Sequence, residues 1–187
     1  MKIWISSDQH FGHAKIIDHA KRNFNSTHDM GQELLEQINR NVGVNDLFYI
    51  LGDFTITNRL GLIEYYRSQI KCKDVRMILG NHDNAEKTAK AFGKSKTSMM
   101  ERQKLGGVPV VMCHYPLATV FRRTLMLYGH CHGNYFGGPN SMDVGVDVAF
   151  RIFGKYRPFN LDEIVKLIKV KNRRLEKGGN TFILKAG

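Results

Sequence analysis

Five short clusters of metal-ligating side chains punctuate this chain: Asp8 with His10, Asp53 after Gly52, Asn81 to Asp83 after Gly80, the single His114, and His130 with His132. Imidazole nitrogens, carboxylates and one amide oxygen make a mixed donor set. Such a set suits borderline divalent ions such as manganese, iron or zinc and differs from an all-oxygen calcium or magnesium cage. The donors suffice for two ions, and the chemistry such ions support is Lewis-acid catalysis and the activation of water.

Each cluster begins where a run of strand-like residues ends. Lys2 to Ser6, Leu47 to Leu51, Val75 to Leu79, Val108 to Cys113 and Thr124 to Tyr128 are short β-branched or aromatic-rich runs, the signature of buried strands. Between them Ile16 to Phe24, Gln32 to Val42, Leu60 to Ile70 and Ala85 to Phe92 carry apolar residues at three- and four-residue spacing, which predicts amphipathic helices against a sheet. In an α/β layered domain the carboxyl edge of the strands is where ligands gather, so distant clusters converge there. Asp8 and His10, like His130 and His132, are two apart, and in extended backbone each pair points one way with Cys131 facing oppositely.

Other elements follow from local signals. Gly106-Gly107 predicts a hairpin between Ser98 to Lys104 and Val108 to Cys113. Gly133 to Ser141 reads as a loop rimming the site and Asp143 to Val148 as a further strand. Asn160, with Glu163 three residues on, predicts a capped helix whose face is Leu161, Ile164, Val165 and Ile168. Beyond it, Lys171 to Lys177 either pairs with Thr181 to Leu184 in a closing hairpin or continues the helix.

The 187 residues fit one domain spanning 1–187, with 42% hydrophobic and 24% charged residues. No apolar run approaches the eighteen or so residues of a membrane span, and the N-terminus runs into a strand without a signal-peptide pattern. Three cysteines without a C-x-x-C pair argue for a reducing compartment, and a cytoplasmic location is expected. The formal net charge is +11; residues 151–187 hold ten Lys/Arg against three Asp/Glu, and residues 84–105 hold six against two. That balance fits a phosphorylated small molecule, a nucleotide or nucleic acid as substrate, though it also serves solubility. No membrane partner is expected, and the oligomeric state is left unassigned.

In these residues the chain resembles the calcineurin-like metallophosphoesterase superfamily, whose series D-x-H, G-D, G-N-H-D/E, H and G-H-x-H runs in order from Asp8 to His132. The segment Ser7 to His13, the ending Asp143 to Asp147, and Arg157-Pro158 before Leu161 to Ile164 are similar to its small cap-free bacterial and phage members. The resemblance implies an α/β fold of two mixed sheets packed as a β-sandwich flanked by helices. It implies that Asp8, His10, Asp53 and His132 hold one metal and that Asn81, His114 and His130 hold a second, with Asp53 bridging. It further implies that His82 faces the substrate phosphate and Asp83 orients its imidazole. Manganese is the first expectation, with iron, zinc or nickel as alternatives.

Two ions about 3.5–4 Å apart can share a bridging hydroxide and clamp phosphoryl oxygens for in-line attack. His82, beside a carboxylate, can serve as general acid. The basic balance favours phosphodiesters of nucleotides or nucleic acid; a broad phosphomonoesterase or protein phosphatase is the alternative, and a metal-stabilised nucleic-acid-binding module the non-enzymatic one. His13, Arg122, Arg123 and Tyr135 are candidate substrate contacts, whereas His19 and His28 read as solvated. No phosphate-cradling glycine motif occurs, and Gly52, Gly80 and Gly129 read as tight strand exits.

Overall fold

The computed structural model describes residues 1–56, 59–121 and 123–178. β1 (Ile3–Ser6), β2 (Leu47–Leu51), β3 (Asp74–Ile78) and β4 (Thr97–Ser98) are parallel neighbours in one sheet, and β9 (Phe159–Asn160) closes it antiparallel beside β1. In the second sheet β6 (Val108–Cys113), β7 (Leu125–Tyr128) and β8 (Ser141–Asp143) are parallel, with β5 (Met100–Leu105) antiparallel at the edge. The architecture is thus the expected two mixed sheets flanked by helices.

Alternation along β2 shows why its residues form a buried strand. Phe48 and Ile50 pack outward among Leu34, Ile38, Ile63 and Phe92 of the helical layer, while Leu47, Tyr49 and Leu51 turn inward to meet Val110, Met112 and Leu127 of the second sheet. The helical layer comprises α1 (Ala14–His19), α2 (Thr27–Asn41), α3 (Leu60–Gln69) and α4 (Ala85–Phe92). α5 (Val146–Phe153) and α6 (Leu161–Glu176) pack through Ala149, Ile152, Ile164 and Ile168 on the inter-sheet core. Burying each such side chain contributes about 1.5–3 kcal/mol. Among the described residues no helix is long and apolar enough to cross a membrane.

The sheets meet at the carboxyl edge of their strands. Ser7, just past β1, forms a parallel bridge with Gly145, just past β8, and the Val146 N–H donates to the Ser7 carbonyl at 3.1 Å. This contact joins the segments after β1 and β8, and separate hydrogen bonds from Asp8 to Gly52 and from Gly129 to His114 tie in the loops after β2, β6 and β7.

The structure departs from the sequence expectations in four elements. The expected strand Ser98 to Lys104 is two strands: β4 pairs with β3 in the first sheet, and the chain crosses at Met99 to begin β5 in the second. α1 stops at His19 instead of reaching Phe24, because Lys21 takes a φ of 53° and Arg22 turns into the interior. α2 begins at Thr27, before its apolar stripe, since the Ser26 hydroxyl accepts from the Asp29 N–H at 3.1 Å and caps it. The Asp143 to Val148 strand ends at Asp143, whose Oδ1 accepts from the Gly145 N–H at 2.8 Å, and Val146 opens α5. The expected capping box of Asn160 and Glu163 is present, with Leu161, Ile164 and Ile168 buried and Val165 partly so. The basic run continues the helix to Glu176, and Thr181 to Leu184 lie outside the described residues.

Lys171 of α6 ties this helix to the loop after His132. Its buried Nζ donates to the carbonyls of Phe136, Gly138 (2.9 Å) and Ser141 (3.1 Å). Lys171→Met should cost about 1–3 kcal/mol by removing the ammonium that these buried carbonyls share. Thermal unfolding checks this, and an unchanged midpoint would contradict it.

Candidate metal centre

Five of the ligand-type side chains sit on left-handed backbone. Among the described residues eight non-glycine residues have positive φ, and five of these are Asp8 (60°), His10 (53°), Asp53 (54°), His130 (68°) and His132 (47°). Left-handed helical geometry costs an L-residue about 1–2 kcal/mol, and such strain persists where surrounding contacts impose it. Here the contacts are hydrogen bonds between the loops. The Asp8 N–H donates to the Gly52 carbonyl (3.0 Å), the His10 N–H to the Asp53 carbonyl (2.9 Å), and the His130 N–H to the Asp8 carboxylate (3.0 Å). The expected extended alternation is therefore corrected: these pairs are carried by turns. Cys131 nonetheless faces away, packing against the cluster of Val111, Met126 and Tyr128.

The loops bring together three groups whose ligand atoms lie within 4.8 Å of one another: Asp8, His10 and His132; His10, Asp53 and His82; and Asp53, His114 and His130. Asp53 joins two of them. Its Oδ2 lies 3.5 Å from His10 Nε2, 3.4 Å from His114 Nε2 and 4.0 Å from His82 Nε2. Asn81 Oδ1 is 3.1 Å from His114 Nε2 and 3.0 Å from His130 Nδ1, so the amide stands with the third group.

Burial and neighbouring charges together set the charge states of these groups. Burial drives the His10 imidazole down to about 2, so it is neutral with an available lone pair. Burial works to raise the Asp53 carboxyl, but His114, His10 and the His82 N–H hold it down to about 2. Burial opposes charge on His114 as well, yet Asp53, Asp8 and the Leu51 carbonyl lift it to about 9. Burial pushes the Asp8 carboxyl up, a cost a cation would offset. His10 Nε2 is buried with no hydrogen-bond partner, which is rare for an interior polar atom. Neutral imidazole, buried carboxylates and an orphaned ring nitrogen converging on one volume fit divalent cations.

Two glycines are required by close approach. A Cβ on Gly80 would come within 2.6 Å of the Asp53 backbone nitrogen, and one on Gly52, at a φ of 91°, within 2.3 Å of His114 Nδ1.

Asp83 does not orient the His82 imidazole as expected. Its carboxylate accepts the backbone N–H groups of Asp53 (2.7 Å), Gly80 (2.9 Å) and Phe54 (3.0 Å), fastening the β2 and β3 loops together. Burial raises it to about 6 against those three donors. The carboxylate beside the His82 ring is that of Asp53, which also accepts the His82 N–H at 3.0 Å.

These groups line a cleft of about 350 Å³ formed by His10, Asp53, Asn81, His82, His130 and His132, with His13, Lys15, Ile16 and His19 along one wall. His13 Nδ1 is 3.2 Å from His10 Nδ1. His19, read from sequence as solvated, is exposed, with its ring 6.4 Å from that of His132. Arg122 lies outside the described residues, Arg123 is exposed on the turn before β7, and Tyr135 is exposed with its carbonyl accepting from the Tyr128 hydroxyl at 3.0 Å. Tyr115 was not anticipated: its ring packs 4.9 Å from His130 and 5.1 Å from His114, directly after the fourth cluster.

An uncharacterized protein of Methanocaldococcus jannaschii, MJ1445, is 29% identical over 175 residues, covering 90% of this chain and 92% of its own. The crystal structure of the protein of unknown function AQ665 from Aquifex aeolicus superposes with a TM-score of 0.66 at 20% identity, over 89% of this chain and 98% of that one, and shares the fold. Residues 1–141 match the calcineurin-like phosphoesterase superfamily domain. That match contains all five ligand clusters and the strands that end at them, and on that ground this chain belongs to the calcineurin-like phosphoesterase superfamily.

Proposed function

We propose that the protein hydrolyses phosphodiesters of nucleotides or nucleic acid with two divalent cations, manganese foremost. Asp8, His10, Asp53 and His132 would hold one, and Asp53, Asn81, His114 and His130 the other. The observation that carries this reading is the convergence of three Asp/His groups, two of them sharing Asp53 and two sharing His10, beside one cleft. Bound there, such cations supply Lewis acidity toward phosphoryl oxygens and acidify water.

The remaining work falls to side chains. His82 is partly exposed in the cleft and has its main chain fixed by Asp53. It is thereby placed to pass a proton to the leaving oxygen, which otherwise departs as an unfavourable alkoxide. Lys15 brings a positive charge to the cleft lining beside His13 and His19, which favours a substrate with anionic groups flanking the scissile one. The chain's net charge of +11 acts in the same direction.

The test is turnover of bis-p-nitrophenyl phosphate against p-nitrophenyl phosphate by chelator-stripped protein resupplied with Mn²⁺. A metal-dependent rate dominated by the diester is expected. A rate dominated by the monoester would replace this reading with a phosphomonoesterase. Nucleic-acid binding that survives chelation, without turnover, would replace it with a binding module.

A further inference from the structure

A buried ion pair outside the motif series braces one side of the site. Arg22 is 4% exposed and all of its N–H groups are engaged: Nε and Nη2 reach Asp147 Oδ1 and Oδ2 at 2.8 and 2.9 Å, Nη2 also the Asp8 carbonyl at 2.7 Å, and Nη1 the Gln9 carbonyl at 2.9 Å and Met30 Sδ at 3.4 Å. The same guanidinium thus holds the backbone of the first ligand cluster and the carboxylate of Asp147. Asp147, at the start of α5 and 5% exposed, accepts in turn from His132 Nδ1 at 2.7 Å. Asp147 also lies beyond residue 141, where the family match ends.

A ring nitrogen committed to a carboxylate leaves only the other for a cation. His132 packs its ring 5.3 Å from that of His10, in the group it forms with Asp8. His114, on the other side, has its Nδ1 on the Leu51 carbonyl at 2.8 Å instead. One histidine is therefore set by an anion and its counterpart by a neutral carbonyl. Arg22 balances the buried charge that Asp147 would otherwise carry alone.

We propose that Asp147, braced by Arg22, is a positioning residue that holds His132 as the Nδ1–H tautomer and presents Nε2 to the Asp8 and His10 cluster. Cation binding on that side depends on Asp147; binding by Asp53, His114 and His130 does not. This inference rests on the two-metal reading above.

The experiment is calorimetric titration of chelator-stripped wild type and Asp147→Asn with Mn²⁺. It is paired with long-range ¹H–¹⁵N correlation of the histidine rings in wild type, metal-free and after adding Zn²⁺. Asp147→Asn should weaken one of two dissociation constants about 10- to 100-fold, as losing an outer hydrogen-bond partner does, and leave the other within about twofold. The wild-type spectrum should show His132 protonated on Nδ1. Equal weakening of both sites, as a general structural defect would cause, or no weakening, would overturn the proposal, as would a His132 ring whose Nδ1 carries no proton. Should Asp147→Asn not fold, the wild-type spectrum decides alone. A wild type that binds fewer than two ions would overturn the two-metal reading, and the tautomer would still decide the role of Asp147.

Discussion

Asp53→Asn is expected to lower phosphoester turnover to background and to weaken both cation sites, leaving the fold intact. Asparagine keeps an oxygen for the His82 N–H that Asp53 Oδ1 accepts at 3.0 Å. What it removes is the negative charge that faces His10, His114 and His82 from 3.5, 3.4 and 4.0 Å. Losing an outer hydrogen-bond partner of a ligand costs about 10- to 100-fold in metal affinity, so losing a shared ligand charge should cost at least about 10²-fold, or about 2.7 kcal/mol. Because Asp53 belongs to two of the ligand groups, the loss should appear in both dissociation constants, in contrast to the one-sided loss expected for Asp147→Asn. Calorimetric titration with Mn²⁺ and turnover at saturating metal check it. Wild-type affinity for both ions would remove Asp53 from the centre of the site.

His82→Ala is expected to discriminate between leaving groups. A positioned general acid contributes about 10²- to 10⁴-fold when the departing oxygen needs a proton and little when it leaves as a stable phenolate. Alkyl phosphodiesters should therefore lose that full factor while p-nitrophenyl esters lose far less, under the same metal load. His82 makes this test clean, because Asp53 is fixed independently by its N–H bond to Asp83 at 2.7 Å and by its carbonyl bond to the His10 N–H at 2.9 Å. Equal losses on both ester types would assign His82 an electrostatic role alone.

β2 was legible because it is buried on both faces and so reads as an unbroken apolar run from Leu47 to Leu51. The ligands were legible because each cluster follows its strand without an intervening residue type that could carry the chemistry elsewhere. Three kinds of feature were not legible. Backbone handedness at His10 or His130 is imposed by loops far away in sequence, so a local alternation rule had no access to it. The partners of Asp147 are Arg22 and His132, and Arg22 lies 125 residues away; neither residue type announces an ion pair on its own. The passage of the chain from one sheet to the other at Met99 leaves no composition signal, since both flanking segments are polar strand residues. Asp83 adds a fourth lesson: its neighbour in sequence is His82, yet its carboxylate is engaged by backbone donors of two loops.

The left-handed ligands set a direction for any evolution of this protein in the laboratory. Glycine adopts that backbone without the cost that falls on histidine, about 1–2 kcal/mol per residue, so replacing the exposed His130 with glycine relieves strain while deleting an imidazole, whereas at the buried His10 it also leaves a cavity. A library selected on heat resistance alone would drift toward glycine at His130, a position proposed to do the chemistry. Selection in the presence of the cation would resist that drift, because the ion rewards the imidazole only in the folded chain.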